Sequence, residues 1–177
     1  MKLLSLRIGC LGCFFPFLIA CTNINYYAQS VQGHSEILIK SQSIEYLLAH
    51  HIDPNTKHKL ELVEELLGFA RQELLLPDNG SYRQYVDLNR PYVIWNVFAT
   101  PELSLEPKSW CYLFVGCLNY RGYFNKEDAL NLATQLEQQG FDVFIGGVAA
   151  YSTLGWFADP VLNTMIRHED LYLARLI

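Results

Sequence analysis

The run LNYRGYFNKEDALNLATQLEQQGFDVFIGG, residues 118–147, decides the fold. Its ends are aromatic and β-branched, and its middle has a helical period. Leu118 to Phe124 reads as a strand. Asn125 caps a helix, with Asp128 at the third position in a capping-box-like arrangement. Ala129, Leu132, Ala133 and Leu136 make the helix's apolar face, and Gly140 ends it. Phe141 to Ile145 is the next strand, closed by Gly146-Gly147. A strand, a helix and a strand in that order predict a sheet crossed by one helix.

Working outward, Tyr92 to Ala99 is bracketed by Pro91 and Pro101 and reads as a strand, as does Trp110 to Val115. Leu103-Ser104-Leu105 alternates briefly between them. The strongest helix opens at Asp53-Pro54, an N-cap followed by proline at the first helical position. Leu60, Val63, Leu67, Ala70 and Leu74 give it one apolar face. Ser43 caps a shorter helix, Ile44 to His51. From Asn23 to Lys40, Tyr27, Val31, His34 and Leu38 recur at helical steps, widened by Tyr26 and Ile37. Asp159-Pro160 repeats the cap signal and predicts a helix from Pro160. Glu169 to Ile177 reads as a last helix with Leu171, Ala174, Leu176 and Ile177 as its apolar positions. No Gly, Asn or Pro follows it, so it reads as a helix cut in mid-run. The expected class is α+β: N-terminal helices, then a small mixed sheet with one crossover helix.

Composition narrows the function. The chain has 177 residues, room for one ordinary domain or part of a larger one. With 51% hydrophobic and 18% charged residues it is no disordered chain. A net charge of −5 without any Lys/Arg cluster excludes nucleic acid as a partner, because phosphate binding needs a basic footprint. Aromatics at 14% point to a dense core or an apolar groove.

Residues 1–20 read as an address rather than structure. Lys2 and Arg7 precede an uncharged, mostly apolar stretch, Ile8 to Ile19, too short for a spanning helix. A short membrane anchor is the other reading. Leu18-Ile19-Ala20-Cys21 resembles a bacterial lipobox, which implies cleavage before Cys21 and lipid on its thiol. The expected location is therefore the cell envelope, lipid-anchored and facing the periplasm. Thr22 after the cysteine favours the outer membrane by analogy. The expected domains are a signal peptide over 1–20 and one incomplete domain over 21–177. Cys10 and Cys13 leave with the signal, so Cys111 and Cys117 remain as an even pair in an oxidising compartment. A disulfide closing a short loop is expected; two free buried thiols are the alternative.

A search for catalytic motifs finds no Gly-x-Ser-x-Gly, P-loop, Gly-x-Gly-x-x-Gly or His-Glu-x-x-His. The histidines are His34, His50, His51, His58 and His168, and no two share a helix face at metal-binding spacing. The irregular segments carry more. Leu76-Pro77-Asp78-Asn79-Gly80-Ser81-Tyr82-Arg83 and Arg90-Pro91-Tyr92-Val93-Ile94-Trp95-Asn96-Val97 are two such blocks. Leu105-Glu106-Pro107-Lys108-Ser109-Trp110-Cys111 with Gly116-Cys117, and Tyr120-Arg121-Gly122-Tyr123-Phe124, are two more. Tyr151-Ser152-Thr153-Leu154-Gly155-Trp156-Phe157 and Asp159-Pro160-Val161-Leu162 complete the set. Together they resemble the bacterial predicted aminopeptidases, lipoproteins of the zinc-metallopeptidase clan.

That resemblance implies a zinc-dependent aminopeptidase acting on peptides in the cell envelope. In the family a His-Glu-x-x-His helix would hold zinc through its histidines, with the Glu as general base. It would follow a segment resembling Asp170 to Ile177, where this sequence stops. No metal or catalytic residue is therefore assigned here. This chain alone is expected to hold no zinc and to be inactive, as the N-terminal part of a metallopeptidase-like domain. The alternative is a non-catalytic envelope lipoprotein that binds a peptide or a protein partner. The candidate residues of a substrate cleft are Gly146, Gly147, Val148, Tyr151 and Trp156, since two glycines allow close backbone approach. The other reading is a glycine turn beside core aromatics. Arg121 and Glu106 are either a buried pair or simply exposed.

Overall fold

The computed structural model describes residues 17–112 and 115–177, with side chains from Ile24 onward. The first sixteen residues of the expected signal, and the side chain of Cys21, lie outside this description. Among the described residues no helix is long and apolar enough to cross a membrane.

Helix α1 (Phe17–Lys40) is followed by a two-residue strand β1 (Gln42–Ser43), helix α2 (Ile44–Ala49) and helix α3 (Pro54–Gln72). Local side chains set these boundaries. Ser43 Oγ accepts from Tyr46 N at 3.4 Å, and Asp53 Oδ1 accepts from Thr56 N at 2.9 Å. The face of α3 is buried at Leu60 and Val63, while Leu74, beyond the helix end, is exposed. In α1 the expected stripe is largely reversed. Ile37 is buried and His34 half-buried, but Val31 and Leu38 face solvent.

Strand β2 (Gln84–Val86) pairs antiparallel with β1 and parallel with β8 (Val161–Leu162), giving the order β1-β2-β8. Over this small sheet lies the larger core: Ile37, Ile44, Leu60, Val63, Val86, Val161 and Leu162, joined by residues of the last two helices. These are α5 (Asn163–Ile166) and α6 (Asp170–Leu176). Helix formation therefore starts at Asn163, not Pro160, and β8 occupies the first expected turn. In α6 the buried position is Leu173, whereas Leu171 is exposed. Lys59 of α3, only 8% exposed, donates from Nζ to His168 O and the Asp170 carboxylate, tying α6 to α3.

The second sheet has the order β6-β3-β7, from β3 (Ile94–Pro101), β6 (Arg121–Tyr123) and β7 (Phe141–Val148). Both neighbours run antiparallel to the central β3. Helix α4 (Lys126–Glu137) joins β6 to β7 across β3, the expected crossover. Asn125 Oδ1 caps it by accepting from Glu127 N at 2.7 Å. Ala129 and Leu136 of α4 bury Val97 and Ala99 of β3, with Trp110 beside them. The expected strand over 118–124 is two elements. Residues 116–118 form β5 (Gly116–Leu118), a hairpin partner of β4 (Trp110–Tyr112), and the chain resumes as β6. The class is α+β.

Candidate functional site

Strands alternate their side chains, so the second sheet has two faces. Val97 and Ala99 face α4. Ile94, Asn96 and Phe98 face the other way and no helix covers them fully. On this open face lies a pocket of about 860 Å³. Its floor is Ile94 and Asn96 of β3, Gly122 of β6 and Val148 of β7. One wall is α1, through Tyr26, Ser30 and His34. The other is the segment 150–157, through Tyr151, Leu154, Trp156 and Phe157. Val115 and Leu118 of the β4–β5 hairpin close one end.

Three local devices hold these walls. First, α1 is fixed to the sheet by Gln29, whose Nε2 donates to Gly122 O at 3.4 Å and whose Oε1 accepts from Phe124 N at 3.2 Å. Gly33 lets the helix come close: a Cβ there would sit 2.1 Å from the Phe124 ring. Second, Asp159 organises the loop. It is 8% exposed, and its carboxylate accepts from Ser152 Oγ, Thr153 N and Thr153 Oγ1, at 3.0, 3.1 and 2.7 Å. Its own N–H donates to Ser81 Oγ at 3.1 Å. The Asp159-Pro160 signal is a cap for a loop, not for a helix. Third, a disulfide joins Cys111 to Cys117, which face each other in the hairpin register.

Across the pocket, His34 Nδ1 and Tyr151 Oη share a 2.6 Å hydrogen bond. His34 Nε2 is buried without a partner among the described residues. Burial, with the Asp159 charge added, pushes the Tyr151 phenol well above its ordinary range. Tyr151 therefore stays a neutral hydroxyl. Phe124 and Phe157 pack against Tyr151 and His34 respectively, edge-on and tilted.

The sequence-predicted cleft residues divide. Val148, Tyr151 and Trp156 line the pocket. Trp156 is 74% exposed at its mouth rather than in the core. Gly146 and Gly147 make no turn. They lie within β7, opposite Asn96 and Trp95 of β3. Gly147 points to the α4 side, where a Cβ would meet the Tyr92 ring at 2.4 Å, so its close approach is to a half-buried aromatic and not to the pocket. Gly146 lies on the open face outside the pocket lining, where a Cβ would meet the Phe144 ring at 3.1 Å and the Phe98 ring at 3.8 Å. Arg121 and Glu106 are not paired. The Arg121 guanidinium sits 4.1 Å over the Tyr26 ring, and Glu106 is exposed.

Sequence reading missed His34, Asn96 and Phe157. The signal for His34 was its place on the helical stripe; what it could not convey was a partner 117 residues away. The zinc that the family resemblance implies has no fitting ligand set in these residues. Among the described residues no three of His, Cys, Asp and Glu converge. His34 is bound to Tyr151, His50 to Tyr46 O, and His168 stacks on Tyr172. What the arrangement offers is an aromatic groove lined, among the described residues, by no Asp, Glu, Lys or Arg, with hydroxyl and amide groups at defined points, the usual form of a small-ligand site.

A family model described as Putative aminopeptidase matches residues 25–177. No curated protein matches the chain, and no solved structure does.

Proposed function

We propose, starting from the premise that this chain belongs to the Putative aminopeptidase family, that it forms the peptide-binding wall of an aminopeptidase. The observation that carries the reading is the pocket on the open sheet face, bounded by α1 and the 150–157 segment. An extended peptide is accommodated by a strand edge, where main-chain groups give affinity and pockets give specificity. Here the pocket would receive the side chains, and the sheet floor beneath it, with Val148 at the end of β7, would face the peptide backbone.

Catalysis in this reading uses zinc that the described residues do not hold, since no three of His, Cys, Asp and Glu converge among them. No step is assigned to a residue of this chain beyond binding and orienting the substrate. The protein is placed in the cell envelope, anchored by lipid on Cys21 and turned to the periplasm. Two acyl signals or more are needed for stable anchoring, which a lipidated N-terminal cysteine would supply. A second reading, a lipoprotein that binds peptide without cleaving it, draws on the same pocket.

Hydrolysis of aminoacyl-p-nitroanilides separates the two. The 177-residue chain should give only background. The same chain extended by the coding sequence downstream of codon 177 should give chelator-sensitive hydrolysis restored by zinc. Chelator-sensitive activity from the 177-residue chain alone would contradict the assignment of the metal to residues elsewhere.

A further inference from the structure

The pocket's chemistry says more than that a peptide binds. Among the described residues, none that lines it is Asp, Glu, Lys or Arg. An apolar lining offers a charged side chain no counter-ion for the hydration it would lose on docking, so apolar side chains are favoured here. The floor and walls are Ile94, Val148, Leu154, Phe124, Trp156 and Phe157. No lining carboxylate can receive an N-terminal ammonium, so the pocket faces the substrate's side chains rather than its terminus. Its size, about 860 Å³, is at the upper end of the roughly 300–1,000 Å³ of drug-sized sites. That suits two or three residues rather than a single side chain.

One polar group interrupts the apolar floor. Asn96 lies in the middle strand, opposite Gly122 on one side and Gly146 on the other. Its Oδ1 leans over Gly122, 3.0 Å from where a Cβ would stand. Neither glycine has a side chain to cover the amide. A half-buried carboxamide between two glycines, on an apolar floor, presents one donor and one acceptor to whatever lies above it. A peptide unit has the complementary pair.

We infer that this site is selective for uncharged, large apolar residues of the substrate, whose backbone is held by Asn96. This inference rests on the peptide-binding reading above and specifies its substrate class.

The test is calorimetric titration of the 177-residue chain, reconstituted in lipid nanodiscs, with N-acetylated, C-amidated tetrapeptides. Blocked peptides are not aminopeptidase substrates, so binding is read independently of hydrolysis. Acetyl-Ala-Phe-Leu-Ala-amide should bind at least tenfold more tightly than acetyl-Ala-Glu-Lys-Ala-amide. Ser30→Trp, which fills the pocket from α1, should abolish binding of the apolar peptide in a variant that still unfolds cooperatively. Ser30→Asp should narrow or reverse the preference. Asn96→Leu, similar in size, should weaken both peptides by a similar factor without changing their ratio. Equal binding of the two peptides, no binding of either, or no effect of a folded Ser30→Trp variant would overturn the inference. Absence of zinc-dependent hydrolysis in the extended chain would instead count against the aminopeptidase reading and leave this binding result standing.

Discussion

His34 of α1 and Tyr151 of the 150–157 segment share a 2.6 Å hydrogen bond across the pocket, bridging 117 residues of sequence. It is the polar tie between two walls that otherwise meet through aromatic contact. Tyr151→Phe leaves both ring nitrogens of His34 unpaired, since Nε2 already lacks a partner among the described residues. Leaving a buried polar group unsatisfied costs about 1–3 kcal/mol. Urea unfolding should report a loss of that size. A Tyr151→Phe variant as stable as the parent would show that the bond contributes nothing.

Asp159 should be the more sensitive position. Its carboxylate accepts from three groups of Ser152 and Thr153, and its N–H reaches Ser81. Asp159→Ala removes the three carboxylate bonds from a buried site while keeping the backbone. With charge-assisted bonds each contributing about 1.5–3 kcal/mol, a loss of about 3 kcal/mol is expected after relaxation. Protease nicking between residues 150 and 157 should appear before global unfolding, because the loop has lost its anchor.

The disulfide should matter locally. In the chain-entropy estimate a loop this short contributes about 2 kcal/mol. Val115 and Leu118 of the same hairpin line the pocket. The double substitution Cys111→Ala/Cys117→Ala should therefore lower stability by about that amount and also weaken apolar peptide binding. Unchanged peptide affinity in the double variant would detach the hairpin from the site.

Alkaline pH provides a further check. Burial, helped by the charges of Asp87 and Asp53, pushes Tyr85 up to about 12 from an ordinary value of 10.0. Tyr82 and Tyr123 are also raised by burial. Between these values the unfolded chain has lost protons that the folded chain keeps. The contribution to stability is thus full below pH 10 and falls as pH rises toward 12. Unfolding free energy measured across that window should decline, and Tyr85→Phe should flatten the decline.

Much of the helical structure was legible because its determinants are local. Ser43, Asp53 and Asn125 each cap the helix that follows with their own side-chain oxygen. The crossover from β6 through α4 to β7 was legible for the same reason. What could not be read was decided by distant partners. Strands β1, β2 and β8 have two or three residues each, and their pairing depends on segments far apart in the chain. Asp159-Pro160 carries a helix-start signal, yet Val161 and Leu162 pair with β2 and the Asp159 carboxylate turns to Thr153. Gly146-Gly147 carries a turn signal, yet β3 offers eight residues of register and the strand continues through both glycines. The pocket itself joins α1 to a segment more than a hundred residues later, and no spacing in the sequence encodes that meeting.

Gly147 offers a test of how β7 packs on the face opposite the pocket. A Cβ there would lie 2.4 Å from the Tyr92 ring, which in turn packs 4.9 Å from Trp95. Overpacking of this kind costs about 1–3 kcal/mol. Gly147→Ala should lose that much stability and shift the Tyr92 ring, visible as changed near-ultraviolet dichroism. Gly68, whose Cβ position is open, should tolerate alanine with no loss.

The central claim is that peptide docks in the pocket between α1 and the segment 150–157, over Asn96 of β3. Hydrogen–deuterium exchange with and without a saturating apolar blocked peptide tests it most directly. The account predicts slower exchange in the amides of residues 150–157 and of α1 around Ser30 and His34, with the amides of α3 unchanged. Protection confined to other elements, or none at a concentration where calorimetry shows binding, would contradict it.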